Sequence, residues 1–145
     1  MSDDPFDLSR FVDAQRGSYE QALAEIRRGA KSTHWMWFIF PQISGLGTSA
    51  MAQRFAIRSL AEAQAYLRHP TLGPRYEESI ASLQDLDDTT ANRVFGNIDA
   101  IKLRSWLTLF SSAGDKPIFR AAIRRWFGSP DERTIEILRE RPPSG

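Results

Sequence analysis

Apolar residues recur at helical spacing along most of the chain and almost nowhere alternate one by one, as a half-buried strand requires. Leu8, Phe11, Val12, Tyr19, Leu23 and Ile26 lay out one face of a first helix. Asp7 is its expected cap, Gly17 a point at which it bends or splits, and Gly29 its stop. The periodicity then lapses, and residues 31–49, KSTHWMWFIFPQISGLGTS, read as a short buried segment followed by a glycine-containing loop. Residues 35–40 are aromatic enough to suit a strand. A lone strand finds no ladder partner elsewhere in this pattern, so the segment is read as a short helix.

Ser49 opens the next helix, and Ser59 with Glu62 matches a capping box ahead of a helix that runs to about Arg68. His69-Pro70 punctuates the chain. Leu72, Tyr76, Ile80 and Leu83 then resume helical spacing, with Pro74 in the first turn, where a missing N–H costs little. Residues 85–88 are a loop, 89–95 a short helix ended at Gly96. Asn97 or Asp99 caps a longer helix carrying Ile101, Leu103, Trp106, Leu107 and Phe110, and Gly114 terminates it. Two helices follow, over 117–127 and from Asp131 to about Arg139, before a fraying RPPSG tail at 141–145. The pattern predicts an all-α fold of about eight short helices in one domain over 1–145, its ordered core at 6–140.

Composition narrows the chemistry. With 41% hydrophobic and 26% charged residues, the chain has the balance of a folding globular protein. It has no cysteine and two histidines, which removes thiolate zinc sites and disulfides; no metal or cofactor is expected. Asp3, Asp4 and Asp7 stand where a signal peptide would be basic, and the dense apolar run at 35–41 is far shorter than a membrane span, so the expected place is the cytoplasm with no membrane contact. A formal net charge of +1 argues against nucleic acid as a partner.

Three constellations stand out. Lys31, His34, Trp35 and Trp37 lead into Phe40-Pro41-Gln42 and Gly45-Leu46-Gly47, placing a cation and an imidazole beside indole rings and a loop whose backbone can approach a ligand. The competing reading makes the tryptophans core and the histidine an ordinary hydrogen-bonding group. Asp99, Lys102, Arg104, Ser105 and Thr108 lie on one helix, with pairs spaced three and four apart that suit phosphate or carboxylate. Lys116, Arg120, Arg124 and Arg125 form a basic stripe, read as the solvated face of an amphipathic helix neutralised by Asp131, Glu132, Glu136 and Glu140. No nucleophile arrangement appears; of the carboxylates that could act as acid or base, Glu62 already has a capping role, and Glu77 and Glu78 read as solvent-facing.

The segments FDLSRFVDAQ, KSTHWMWFIFPQISGLGTS, AIRSLAEAQAYLRHPTLGPRYEE and VFGNIDAIKLRSWLTLF together resemble the bacterial family called domain of unknown function 1810, from about Phe6 to Leu138. The resemblance implies a small all-helical protein with an armadillo-like arrangement and no assigned activity. The family's signature falls here on Lys31, His34, Trp35, Trp37, Gln42, Gly45, Gly47, His69, Gly73, Arg75, Asp99, Lys102 and Ser105, among others. Where the family continues KLRS with a serine and a methionine, this chain has Trp106 and Leu107, so a pocket wall there is expected to be filled or reshaped.

The leading expectation is a site for a small anionic ligand, nucleotide-like or ADP-ribose-like, contacted by Lys31, His34, Trp35, Trp37, Gln42, Lys102 and Ser105. Two alternatives stand beside it. One is a protein–protein interaction module without catalysis. The other is a hydrolase similar to the glycosidases that act on ADP-ribose-related compounds, with Glu62 as acid or base.

Overall fold

The computed structural model describes residues 4–114 and 116–140. The helical periodicity is realised there as α1 (Ser9–Gln15), α2 (Tyr19–Arg27), α3 (Met36–Ile39), α4 (Ala50–Arg54), α5 (Leu60–Arg68), α6 (Leu72–Gln84), α7 (Ala91–Phe95), α8 (Asn97–Ala113), α9 (Pro117–Phe127) and α10 (Glu132–Glu140). The expected tail at 141–145 lies outside the described residues. The fold is all-α, with ten helices among the described residues against about eight expected, one of the additional ones arising where the first divides around Gly17 into α1 and α2.

The caps show where local chemistry sufficed. Ser49, Ser59 and Thr90 each accept from the backbone N–H three residues on and open α4, α5 and α7. Asp131 does the same for α10, accepting from the N–H of Thr134 at 2.9 Å. The expected cap of α1 is corrected: Asp7 takes a positive φ of 52°, and it is Asp4 that accepts from the amides of Leu8 and Ser9, at 2.7 and 2.8 Å. Neither Asn97 nor Asp99 caps α8, which begins directly after Gly96. His69 has a sharper role than punctuation, its Nδ1 accepting from the amides of Thr71 and Leu72 at the start of α6.

Helix α8 is the axis of the molecule. Leu103 and every residue from Ser105 to Phe110 are buried, and α5, α7, α9 and α10 all pack against it. The other helices bury one face each, as Ala22, Leu23 and Ile26 do on α2 and Phe119, Ala122 and Ile123 on α9. Aromatic rings knit the centre: Trp106 lies 3.9 Å from Phe40 and 4.3 Å from Tyr76, and Tyr76 lies 4.6 Å from Phe110. At the α5–α6 corner only glycine fits. A Cβ on Gly73 would stand 2.1 Å from the carbonyl oxygen of Leu67, backbone that has nowhere to move.

No described helix is long and apolar enough to cross a membrane. No group of three or more His, Asp or Glu side chains suited to a metal ion occurs among the described residues.

Candidate functional site

The segment that lost its periodicity is held by a carboxylate from the helix before it. Glu25 is wholly buried on α2. One of its oxygens accepts from the amides of Ser32 (2.6 Å) and Thr33 (2.9 Å) and from the Trp35 indole N–H (3.0 Å). The other accepts from the Thr33 hydroxyl (2.5 Å) and the Gln21 amide (2.9 Å). Burial alone would raise the pKa of this carboxyl, but the donors from Thr33, Ser32 and Gln21 outweigh it and hold the group well below the usual carboxylate range. Glu25 thus stays charged inside the protein. It clamps the turn that delivers Trp35 into the core, edge-on to Phe40 and Phe95.

Trp37 emerges half-buried, while Phe38, Ile39 and Phe40 remain inside. The following loop is pinned by an isolated parallel bridge, the Ser44 amide donating to Ile57 and the Ile57 amide donating to Gln42, each at 2.8 Å. The backbone partner that strand logic denied to residues 35–40 therefore appears just beyond them, for Ile43. A Cβ on Gly47 would lie 2.5 Å from the Ala52 methyl, so the loop closes on α4 only with glycine there.

Between this loop, α3, α4 and α8 lies a crevice of about 100 Å³. Trp37, Gln42, Ser44, Gln53, Arg58 and Lys102 give it polar walls; Met36, Phe40 and Phe55 give it an apolar floor. The Lys102 ammonium sits 5.0 Å from the centre of the Trp37 ring, in cation–π contact. Beside it Asp99 accepts from two cations, Lys31 at 2.9 Å and Lys102 at 3.7 Å. One carboxylate between two ammonium groups leaves a net positive charge at this end of α8, and Lys31, 9% exposed, is the deeper of the pair. Trp106, fully buried, packs against Phe40 beneath the crevice.

The residues singled out by sequence thus separate. Trp37, Gln42 and Lys102 meet at the crevice, and Lys31 joins them through Asp99. Trp35 is core. His34 is exposed and is not among the crevice walls. Ser105 is buried on a different face of α8, its hydroxyl 2.8 Å from that of Thr134 on α10. Lys102 and Ser105, three apart on α8, therefore do not line one cavity: Lys102 borders the crevice and Ser105 packs against α10. Arg104 and Thr108 also serve α10, Arg104 holding Ser129 and Pro130 and Thr108 accepting from the amide of Asp131.

Glu62 keeps its capping place, its amide donating to Ser59 at 3.1 Å. Its carboxylate accepts from Arg10 at 2.7 Å and from the Arg58 amide at 3.2 Å, and the side chain is 2% exposed. This ties α5 to α1 and to the end of the loop, and gives no support to an acid–base role.

Glu25 is the residue that sequence reasoning passed over. A signal existed: Ala22 and Ile26, three before it and one after it, are apolar and place Glu25 on the buried stripe of α2, where a carboxylate needs partners.

The family described as protein of unknown function (DUF1810) matches residues 5–138. A solved structure, that of the conserved hypothetical protein Rv1873 from Mycobacterium tuberculosis, is similar at 45% identity and a TM-score of 0.92, over 94% of this chain and 99% of that one. No curated protein matches. The chain belongs to the DUF1810 family.

Proposed function

We propose that the crevice at the N-terminal half of α8 binds a small anionic ligand, nucleotide-like or ADP-ribose-like, through one of its charged groups. The observation that carries this reading is Lys102, which lines the crevice over Trp37 while sharing the Asp99 carboxylate with Lys31. A volume of about 100 Å³ is below the roughly 300 Å³ of pockets that enclose whole ligands. The crevice therefore takes in a single phosphate or carboxylate, and the remainder of the ligand lies across the rim near Trp37 and Gln42. A thermal-shift series with inorganic phosphate, acetate, AMP and ADP-ribose tests it. A ligand at a hundred times its dissociation constant adds about 2.7 kcal/mol to folding stability. The expected result is a shift with the phosphate compounds that Lys102→Ala abolishes. No shift with any of them, or one unchanged in Lys102→Ala, overturns the reading.

A second reading, an interaction module without catalysis, is supported by Ile98 and Ile101, which are 73% and 67% exposed one turn apart on α8. Binding of a protein partner that Ile101→Asp eliminates, with no small-molecule shift, would replace the first reading by the second.

A further inference from the structure

The crevice near Trp37 is edged by three charges in a row, and the middle one is negative. Asp99, in the first turn of α8, stands between Lys31 at 2.9 Å and Lys102 at 3.7 Å. Lys31 is the enclosed member, 9% exposed, with its ammonium also 5.2 Å from the centre of the Trp35 ring. Lys102 is the member that borders the crevice, and Asp99 is not among the crevice walls. A separation of 3.7 Å is beyond hydrogen-bond reach, so Asp99 acts on Lys102 through charge. An anionic group that meets Lys102 from the crevice therefore feels a fixed carboxylate behind that ammonium.

We infer that Asp99 is the specificity-determining residue of the crevice, selecting an anionic group with one negative charge over one with two; this rests on the anion-binding reading above. The ligand class is then a phosphodiester or an esterified diphosphate, with one charge on each phosphorus. A terminal phosphate monoester, which carries about −1.5 to −2 at neutral pH, is disfavoured. The reason is a difference in scaling. Attraction to fixed cations grows in proportion to the ligand's charge, whereas the cost of taking that charge out of water grows with its square. The two lysines less Asp99 leave one positive charge beside the crevice, which one negative charge balances and two exceed. Arg58, also on the crevice wall, already has an interaction of its own, and it acts alike in every Asp99 or Lys31 variant.

Titration of the full chain at pH 8 with AMP and with the methyl ester of AMP tests the inference, because the two differ by one charge and little else. The wild-type protein should bind the ester about threefold or more tighter than AMP. Asp99→Asn should tighten the ester about threefold and AMP about tenfold, since doubling the ligand's charge squares the factor, and so erase the preference. Lys31→Met leaves Asp99 to Lys102 alone and should act in the opposite sense, weakening AMP by about the square of the factor by which it weakens the ester. This second variant keeps the test open if Asp99→Asn does not fold. A purely structural Asp99 would shift both ligands by one common factor, and that result overturns the inference. So does a wild-type preference for AMP. Binding that Lys102→Ala abolishes but whose charge preference neither variant changes overturns the inference and leaves the anion site standing, whereas no binding of either compound overturns both.

Discussion

Trp35 and Trp37 stand two residues apart in the same aromatic run, and the protein uses them in opposite ways. Trp35 is 1% exposed, its indole N–H given to Glu25 and its ring set against Phe40 and Phe95. Trp37 is half-buried at the wall of a crevice, under a lysine. A polar atom with a permanent partner is sealed inside at little cost, and the Trp35 indole has that partner in Glu25. The same sequence motif thus contains an anchor and a candidate contact. What separates them is one turn of helix and one carboxylate on α2.

That contrast predicts a graded series. Trp35→Ala should cost about 3–5 kcal/mol of unfolding free energy, as large aromatic truncations in cores do, and Trp37→Ala less than half of that; denaturant melts of the two variants would break the comparison if their costs were equal. Glu25→Gln should cost roughly 1–3 kcal/mol at neutral pH, because an amide cannot accept from all five donors. The charged carboxylate carries a pH signature as well. Since its folded pKa is depressed, its stabilisation is fully present above the unfolded glutamate value of about 4.3 and is lost as pH falls below it toward the folded value. The gap between wild type and Glu25→Gln should therefore narrow in acid melts, and a gap independent of pH would refute the clamp.

Lys102→Ala should change stability by less than about 1 kcal/mol, since the group is partly solvated and 3.7 Å from its carboxylate. Its consequence belongs to ligand shifts, not to the unliganded melt. The smallest effect sharpens the comparison from inside the core. The Tyr76 hydroxyl and the Trp106 indole N–H are buried without a hydrogen-bond partner among the described residues, unlike the indole of Trp35. Tyr76→Phe should accordingly be neutral or stabilising by up to about 1 kcal/mol, whereas a clear loss in a thermal melt would mean that the hydroxyl is satisfied.

The fold was legible because helical spacing, caps and glycine stops are local. Ser49, Ser59 and Asp131 each satisfy a donor within their own next turn, and α9 runs over the residues its pattern marked. The candidate site was legible only in part. Lys102, Trp37 and Gln42 were found as residue types suited to anions, yet Ser105 and Trp35 carried the same marks and are turned inward. His34 carried them too and is exposed away from the crevice walls.

Sequence by itself determined the all-helical class, most helix ends and the family, because each depends on neighbours within a turn or on motifs read in order. Only the tertiary structure decided which face of α8 meets solvent and which meets α10, which arginines of α9 are spent on carbonyls, and which tryptophan is sealed. Those outcomes depend on partners 10 to 41 residues away, such as Glu25 for Trp35, Thr134 for Ser105 and Gln84 for Arg125. No local period encodes a partner at that separation. It is set when the packed core places two helices side by side, and the energy of satisfying a buried polar group then selects the side chain that stays inside.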